Sequence, residues 1–182
     1  MDLEAYLREP VSTESPRTSG WLLAGLLDVP SGSVLLADPT FMYHAEPIEV
    51  GTGELRVEVQ LSDFGGRRLV SRLRATRGSG GEPGAGIQRF IVDSTRAGLA
   101  DVDLFLNATQ DLDDDGYEAF MSGARSDDLV GTLHPEGTAP VIFASTGFGS
   151  GAYLVREIVR EGGRVGFQVD FAILDVDGAE DD

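Results

Sequence analysis

Hydrophobic and polar residues alternate with the period of a β-strand over long stretches of this chain. Every second residue is apolar in residues 54–61, and the same alternation returns in residues 164–174. Because successive side chains of a strand point to opposite faces, this period predicts strands with one buried face. Gly65 and Gly66 separate the first stretch from residues 67–76, which we expect to be its hairpin partner.

Shorter apolar runs predict further strands at residues 34–37, 87–92 and 140–145. Residues 21–27 form an apolar element whose type the pattern leaves open. Residues 78–86 contain five glycines and one proline, a composition typical of a flexible loop.

Helical spacing of apolar residues predicts a helix over residues 113–124, whose acidic start favours the helix dipole. One or two helical turns are predicted over residues 2–8. Residues 152–161 fit a helix that stops at Gly162, and equally a strand paired with residues 164–174. The helical alternative would imitate a nucleotide-binding unit, with a strand, a glycine-rich loop and a helix.

Together these elements predict an α+β fold, strand-rich, with a mostly antiparallel sheet or sandwich and one or two short helices. The length of 182 residues favours a single domain. Within it we expect an N-terminal helix and connector at residues 1–20, a globular core at 21–174 and an acidic tail at 175–182.

The charge of the chain restricts its partners. Its net charge is −17, and its fourteen basic residues are all arginine. A field of this sign repels phosphate backbones and favours a basic protein as partner. Five arginines cluster in sequence: Arg67, Arg68, Arg72, Arg74 and Arg77. They form either the solvated face of a strand or a clamp for an acidic partner or anionic ligand.

The chain has no cysteine, which removes disulfides, zinc–thiolate sites and thiol catalysis. Together with the lack of a secretion signal, this favours the cytoplasm. The apolar stretches are far shorter than the roughly 20 residues that a membrane span needs, so we expect no membrane partner. The oligomeric state is left open.

Three groups of residues are candidates for chemistry. Asp93, Asp101, Asp103 and Asp170 would form an acidic cluster if their strands were neighbours, able to bind a divalent cation or to act as acid and base. Ser94 and Tyr153 are further catalytic candidates, and His44, beside Asp38 and Tyr43, is a candidate base. His134 is the only other histidine.

The other two groups are a glycine run and an acidic run. Gly147, Gly149, Ser150 and Gly151 are candidates for ligand binding, since a glycine-rich loop that opens a helix cradles phosphate. The alternative is that these glycines serve a tight turn or bulge.

Asp111, Asp113, Asp115 and Gly116 follow the opening of a calcium loop, but Ser122 stands where that loop requires glutamate. No cofactor is predicted, and a divalent cation is the one alternative.

Several strings, taken in order, resemble the bacterial domain-of-unknown-function family numbered 4241. These strings are SGSVLLADP at 31–39, GTGELRVEV at 51–59, RLVSRLRA at 68–75, VDSTRAGLAD at 92–101, VIFASTGFGSGAYLVRE at 141–157 and GRVGFQVDF at 163–171. The resemblance implies a strand at residues 152–161. It also implies that the following residues occupy family motif positions: Asp38, Asp93, Ser94, Asp101, Gly149, Gly151, Tyr153, Asp170 and Phe171.

This chain departs from that family pattern at three places. Ser150 stands where family members usually carry aspartate, and residues 78–86 replace a tryptophan-containing segment. The glycine-rich string after the family's VDSG is reduced here to STRAGLAD. If the family uses the missing carboxylate, this protein lacks that activity.

The sequence thus supports three hypotheses of function. The first is a non-enzymatic interaction protein, of the immunity or antitoxin kind, that masks a basic partner. The second is a small-molecule or metal-binding enzyme that uses Asp93, Asp101 and Asp170. The third is a calcium-responsive module.

Overall fold

The computed structural model describes residues 2–13, 15–125, 128–133, 140–147 and 149–171. Strands and short helices alternate along these ranges. The strands are β1 (Arg17–Thr18), β2 (Leu22–Val29), β3 (Ser33–Ala37), β4 (Ile48–Glu49), β5 (Gly53–Phe64), β6 (Arg67–Thr76), β7 (Glu82–Val92), β8 (Arg96–Asp101), β9 (Val130–Leu133), β10 (Val141–Ser145), β11 (Gly151–Arg160) and β12 (Gly163–Asp170). The α-helices are α1 (Leu3–Arg8), α2 (Val102–Thr109) and α3 (Asp114–Met121), and the 3₁₀ helices are Pro39–His44 and Ser122–Arg125.

The strands form two antiparallel sheets. The larger sheet has seven strands in the order β1, β5, β6, β12, β11, β7, with β2 also paired to β5. The smaller sheet has five strands in the order β4, β3, β8, β10, β9. The fold class predicted from the sequence, α+β with mostly antiparallel strands and short helices, is therefore confirmed.

The core lies between the two sheets, which pack face to face. On β5 the alternating residues Leu55, Val57, Val59 and Leu61 are all fully buried. They belong to one apolar cluster with residues of the smaller sheet, such as Leu99. The period-two pattern of β5 therefore marks the face that the second sheet covers, as expected for a sandwich.

Residues 78–86 differ from the predicted flexible loop, because β7 begins within them at Glu82. A Cβ atom at Gly84 would lie 2.8 Å from the Val159 side chain, and one at Gly86 would lie 3.0 Å from Leu154. These glycines therefore let β7 approach β11 closely. Composition alone could not separate this use of glycine from flexibility.

The two elements of open type are both strands. Residues 22–29 form β2, and residues 151–160 form β11, which pairs with β12 across the turn at Gly162. The strand alternative for residues 152–161 is therefore confirmed. Helix α2 was not predicted. His134, Ile173 and the predicted acidic tail at 175–182 lie outside the described residues.

The arginines of β6 form the partly solvated outer face of a strand, and carboxylates of the same chain pair three of them. Arg68 contacts Asp63 at 2.7 Å, and the side chains of both residues are almost fully buried. Arg72 pairs with Asp170 at 2.8 Å and Arg74 pairs with Glu58 at 2.9 Å. These arginines are thus committed to their own chain.

Arg68 also fixes the N-terminal segment against the β5–β6 hairpin. Its Nη1 donates hydrogen bonds to the backbone oxygens of Tyr6 and Glu9, and its Nη2 to that of Pro10. The guanidinium lies 4.6 Å from the centre of the Tyr6 ring. One buried side chain therefore connects α1 and the segment that follows it to the larger sheet.

Within the described residues, no helix is both long enough and apolar enough to cross a membrane.

Candidate functional site

Two buried aspartates, at opposite ends of β3 in the smaller sheet, each cap a helix. Asp38 follows β3 and is fully buried. Its carboxylate accepts hydrogen bonds from the backbone N–H of Thr40 at 2.8 Å, of Asp93 at 2.7 Å and of Ser94 at 2.6 Å. It thereby caps the 39–44 helix, where Pro39 takes the first position, and joins this helix to the turn between β7 and β8.

The pKa of Asp38 reflects these contacts. Burial alone would raise it, but the N–H groups of Ser94, Thr40 and Asp93 together hold it below its ordinary value. Asp38 is therefore a charged structural acceptor at neutral pH.

Asp101 has the same kind of role at the start of α2. Its Oδ1 accepts a hydrogen bond from Leu104 N at 2.9 Å, and its Oδ2 accepts bonds from Ser31 N at 3.0 Å and Ser31 Oγ at 2.5 Å. Asp101 is fully buried, and its backbone pairs with Val34 at the opposite end of β3 from Asp38. Val34 and Asp38 are four residues apart along an extended chain, which corresponds to roughly 13 Å.

The predicted aspartate cluster does not form. Asp93 lies beside Asp38, Asp101 lies at the other end of β3, and Asp170 is half exposed on the larger sheet beside Arg72. Asp103 is exposed on α2. The sequence could not show that Asp101 would serve as a helix cap, which ties its carboxylate to α2 and Ser31. The enzyme hypothesis requires the carboxylates of Asp93, Asp101 and Asp170 to lie in one site, and this prediction is wrong.

The glycine run forms a turn closed by its own hydrogen bonds. Gly149 N donates to Thr146 O at 3.0 Å, and Thr146 Oγ1 donates to Gly149 O at 2.7 Å. Tyr153 Oη also donates to Gly149 O, at 2.6 Å. Gly149 has a φ of +129°, and Gly151 begins strand β11. A phosphate cradle at the start of a helix is therefore wrong here, because no helix follows the run. Ser150 is exposed in the turn.

The acidic run begins α3. Asp113 is the N-cap of this helix and accepts a hydrogen bond from Gly116 N at 2.8 Å, while Asp111 and Asp115 are exposed. In the described part of the chain, no group of three or more histidine, aspartate or glutamate side chains is arranged to hold a metal ion. The divalent cation stays a prediction from the sequence pattern.

An aromatic cluster joins the 39–44 helix to α2 and α3. The ring centre of Tyr43 lies 4.6 Å from that of Tyr117 and 5.6 Å from that of Phe105. Tyr43 Oη donates a hydrogen bond to Thr109 O at 2.8 Å, and Tyr117 Oη donates one to Pro39 O at 2.7 Å. Burial, and then the neighbouring Tyr43, raise the pKa of Tyr117, so its phenol stays a neutral donor.

These three helices enclose an open depression of ≈ 380 Å³. Phe41, Tyr43 and Leu112 line it and remain 46%, 40% and 39% exposed, although they are large and apolar. The carboxylate residues Asp113 and Asp114 line the same space. We call it the acidic–aromatic depression; its full lining is Thr40, Phe41, Tyr43, His44, Thr109, Gln110, Leu112, Asp113, Asp114 and Tyr117.

The chain segments that form the depression carry charge of one sign, and one cation, Arg96 of β8, lines an adjoining pocket with Asp114 and Tyr117. Residues 97–124, which contain α2 and α3, have seven carboxylates and neither lysine nor arginine. Residues 18–55, which contain the 39–44 helix, also have no lysine or arginine. The sequence signal for this surface is the lack of lysine and arginine over both segments, which indicates a negative surface without locating the depression. The acidic run by itself predicts a charged helix start or the opening of a calcium loop, and neither indicates the apolar residues beside it.

No family model, curated protein or solved structure matches this chain. The resemblance to family 4241 therefore stays a prediction. The residues that carry it do have structural roles here, since Asp38 and Asp101 cap helices and Tyr153 closes the turn at Gly149.

Proposed function

We propose that this protein is a non-enzymatic interaction protein that binds a basic partner protein at the acidic–aromatic depression. The observation that carries the proposal is that Phe41, Tyr43 and Leu112 stay exposed beside Asp113 and Asp114 on a surface whose helices have no cation.

Aromatic rings and carboxylates together favour a guanidinium or ammonium group. The face of an aromatic ring attracts a cation, and arginine also stacks its planar group on the ring while donating hydrogen bonds to carboxylates. Both kinds of group line one space here. The expected contact is thus an arginine or lysine side chain of the partner, which enters between Phe41 or Tyr43 and the carboxylate of Asp114.

The charge of the whole chain supports a protein partner. A net charge of −17 repels nucleic acid at long range and speeds encounter with a basic protein. Masking of a basic target surface is the activity that immunity proteins and antitoxins perform, and it needs no catalytic group. We place the protein in this functional class.

The proposal is tested with a fluorescein-labelled peptide of alternating arginine and glycine, whose binding is followed by fluorescence anisotropy. We expect Asp114→Asn to weaken binding about fivefold, the value of one surface charge contact of about 1 kcal/mol. Phe41→Leu, which keeps an apolar side chain but removes the ring, should weaken it about threefold. Raising the salt from about 0.02 to 0.2 M should weaken it further, because exposed charges become screened.

Asp28→Asn is the matched control, because it removes the same charge from an exposed position on β2. This variant should bind like the unmodified protein at about 0.2 M salt. Equal losses in Asp28→Asn and Asp114→Asn would show that only net charge attracts the peptide, and would reject the depression as the binding surface.

A further inference from the structure

Strand β7 has an unpaired edge. It is the last strand of the larger sheet, and β11 is its only strand partner among the described residues. The N–H and C=O groups of its outer edge therefore have no ladder partner, which makes such an edge a template for another strand.

The irregular features of β7 lie in its first half. Pro83 lacks an N–H, and the pairing with β11 is irregular twice, between Val155 and Arg156 and between Arg156 and Ile158. From Gln88 to Val92 the register is regular. The second half of β7 is thus regularly paired with β11. On its outer side, Gln88 to Ile91 border an open space of ≈ 490 Å³ whose other wall comes from the 36–46 segment, and Gln88 Nε2 donates a hydrogen bond to Glu46 O at 3.2 Å. A strand added to this edge would occupy that space.

The exposed side chains at the end of β7, and of the residue that follows it, alternate in charge around one apolar residue. Arg89 and Ile91 of β7 are exposed, and so is Asp93, which follows the last strand residue and whose backbone N–H is bound to Asp38. Among the described large hydrophobic residues Ile91 is the most exposed, at 69%. Within the described ranges, the side chains of Arg89 and Asp93 make no hydrogen bond or ion pair. The order along the chain is therefore cation, apolar residue, anion, and the two charged side chains have no ion-pair partner among the described residues.

This order is complementary to itself in an antiparallel pair. A twofold axis at Ile91 places Ile91 of one copy opposite Ile91 of the second copy. It also places each Arg89 opposite Asp93 of the other copy. Directly opposite side chains of antiparallel strands contact each other, and opposite charges or apolar pairs at such positions are stabilising.

We propose that two copies of this chain associate through β7, which joins their larger sheets into one continuous sheet. With Ile91 opposite Ile91, each Phe90 lies opposite Val92 of the other copy, so the buried face of the sheet continues into the second copy. The net charge of −17 opposes association at long range, but this repulsion is screened beyond about 8 Å at physiological ionic strength. The inference rests on residues other than those assigned to the basic partner, since Arg89, Ile91 and Asp93 do not line the acidic–aromatic depression, although Phe41 and His44 border both this depression and the space beside β7.

Charge reversal tests the register by sedimentation equilibrium over a series of protein concentrations at about 0.15 M salt. The unmodified protein should show a concentration-dependent dimer. Arg89→Asp or Asp93→Arg alone places like charges opposite each other twice, and should raise the dissociation constant about tenfold. The double variant Arg89→Asp/Asp93→Arg restores both pairs and should return to within about threefold of the unmodified protein. A monomer at every concentration, or a double variant as weak as the single ones, would overturn the proposal.

A cysteine variant gives a second and direct test, since the chain has no cysteine of its own. Opposite residues in an antiparallel pair have Cβ atoms about 4.5 to 5.5 Å apart, so a small shift of the two edge strands brings a cysteine pair to the roughly 4 Å Cβ separation of a disulfide. Ile91→Cys should therefore form a disulfide-linked dimer under mild oxidation. Ala85→Cys is the control, because it is exposed on the same strand but lies about 40 Å from its symmetry mate in this register. Equal crosslinking of the two variants, or none at Ile91→Cys, would contradict pairing at β7.

Discussion

Buried aspartates organise the loops of this protein. The carboxylates of Asp38, Asp63 and Asp101 are fully buried, and each accepts hydrogen bonds from backbone N–H groups distant in sequence. Such bonds replace the hydration that the carboxylates lose on burial. Asp63 differs from the other two because Arg68 also neutralises it.

The Asp63–Arg68 pair leads to a prediction for stability. Arg68→Met leaves Asp63 as a buried anion without its cation, and should lower the free energy of unfolding at pH 7 by about 3 to 5 kcal/mol. Arg72→Met is the control, because its partner Asp170 is half exposed, and it should cost less than about 1 kcal/mol. Urea denaturation of both variants measures these costs.

The same pair predicts a pH dependence. Arg68, acting against burial, holds the pKa of Asp63 below its ordinary value, so the pair stabilises the fold above the unfolded pKa of roughly 4. This contribution is lost as the pH falls through the lower, folded pKa. The difference in free energy of unfolding between the unmodified protein and Arg68→Met should therefore become smaller as the pH falls from 7 into the acid range. A difference in free energy of unfolding that does not change with pH would show that Arg68 acts through packing alone.

At the scale of elements, the close contact between β6 and β12 depends on one glycine. A Cβ atom at Gly166 would lie 1.9 Å from Ala75 O, a backbone atom that cannot rotate away. Gly166→Ala should therefore separate the two strands and cost about 3 kcal/mol. Gly163→Ala is the matched control on the same strand, because its Cβ would meet only Arg160 O at 3.8 Å, and it should change stability by less than about 1 kcal/mol. Thermal unfolding of the two variants gives the comparison, and equal stabilities would refute the steric account.

Elements with a regular hydrophobic period could be predicted from the sequence, and those set by contacts distant in sequence could not. Strands β5 and β6 alternate cleanly around Gly65 and Gly66, so their hairpin followed directly from the pattern. The start of β7 is rich in glycine because β11 packs against it, which composition does not reveal. Helix α2 does not follow from the sequence, because an aspartate such as Asp101 fits a site for chemistry as well as the N-cap that it forms here.

The candidate site was harder to predict than the fold. The acidic run near Asp113 was recognised, but its neighbours in the depression, Phe41 and Tyr43, come from a helix some seventy residues earlier in the chain. Only the fold brings them together, through the hydrogen bond from Tyr43 to Thr109. The acidic cluster at Asp93, Asp101 and Asp170 was predicted on the assumption of neighbouring strand ends, which the topology does not provide.

At the scale of the whole molecule, the positive charges are unevenly distributed. Ten of the fourteen arginines lie in strands of the larger sheet, where several pair with carboxylates. The helices beside the smaller sheet contribute carboxylates without cations, except for Arg125 in the second 3₁₀ helix. One side of the protein is therefore internally balanced, and the other carries an unbalanced negative field that favours a basic partner.

The most direct test of this account is to map the bound peptide by NMR, as shifts of backbone amide signals on titration with the arginine–glycine peptide. We expect the largest shifts in residues 39–44 and 109–117, which surround the depression, and little change in β5, β6 and β12. Asp114→Asn should reduce these shifts at equal peptide concentration, and Asp28→Asn should not. Shifts spread over the whole acidic surface, or centred on the larger sheet, would contradict the acidic–aromatic depression as the binding surface.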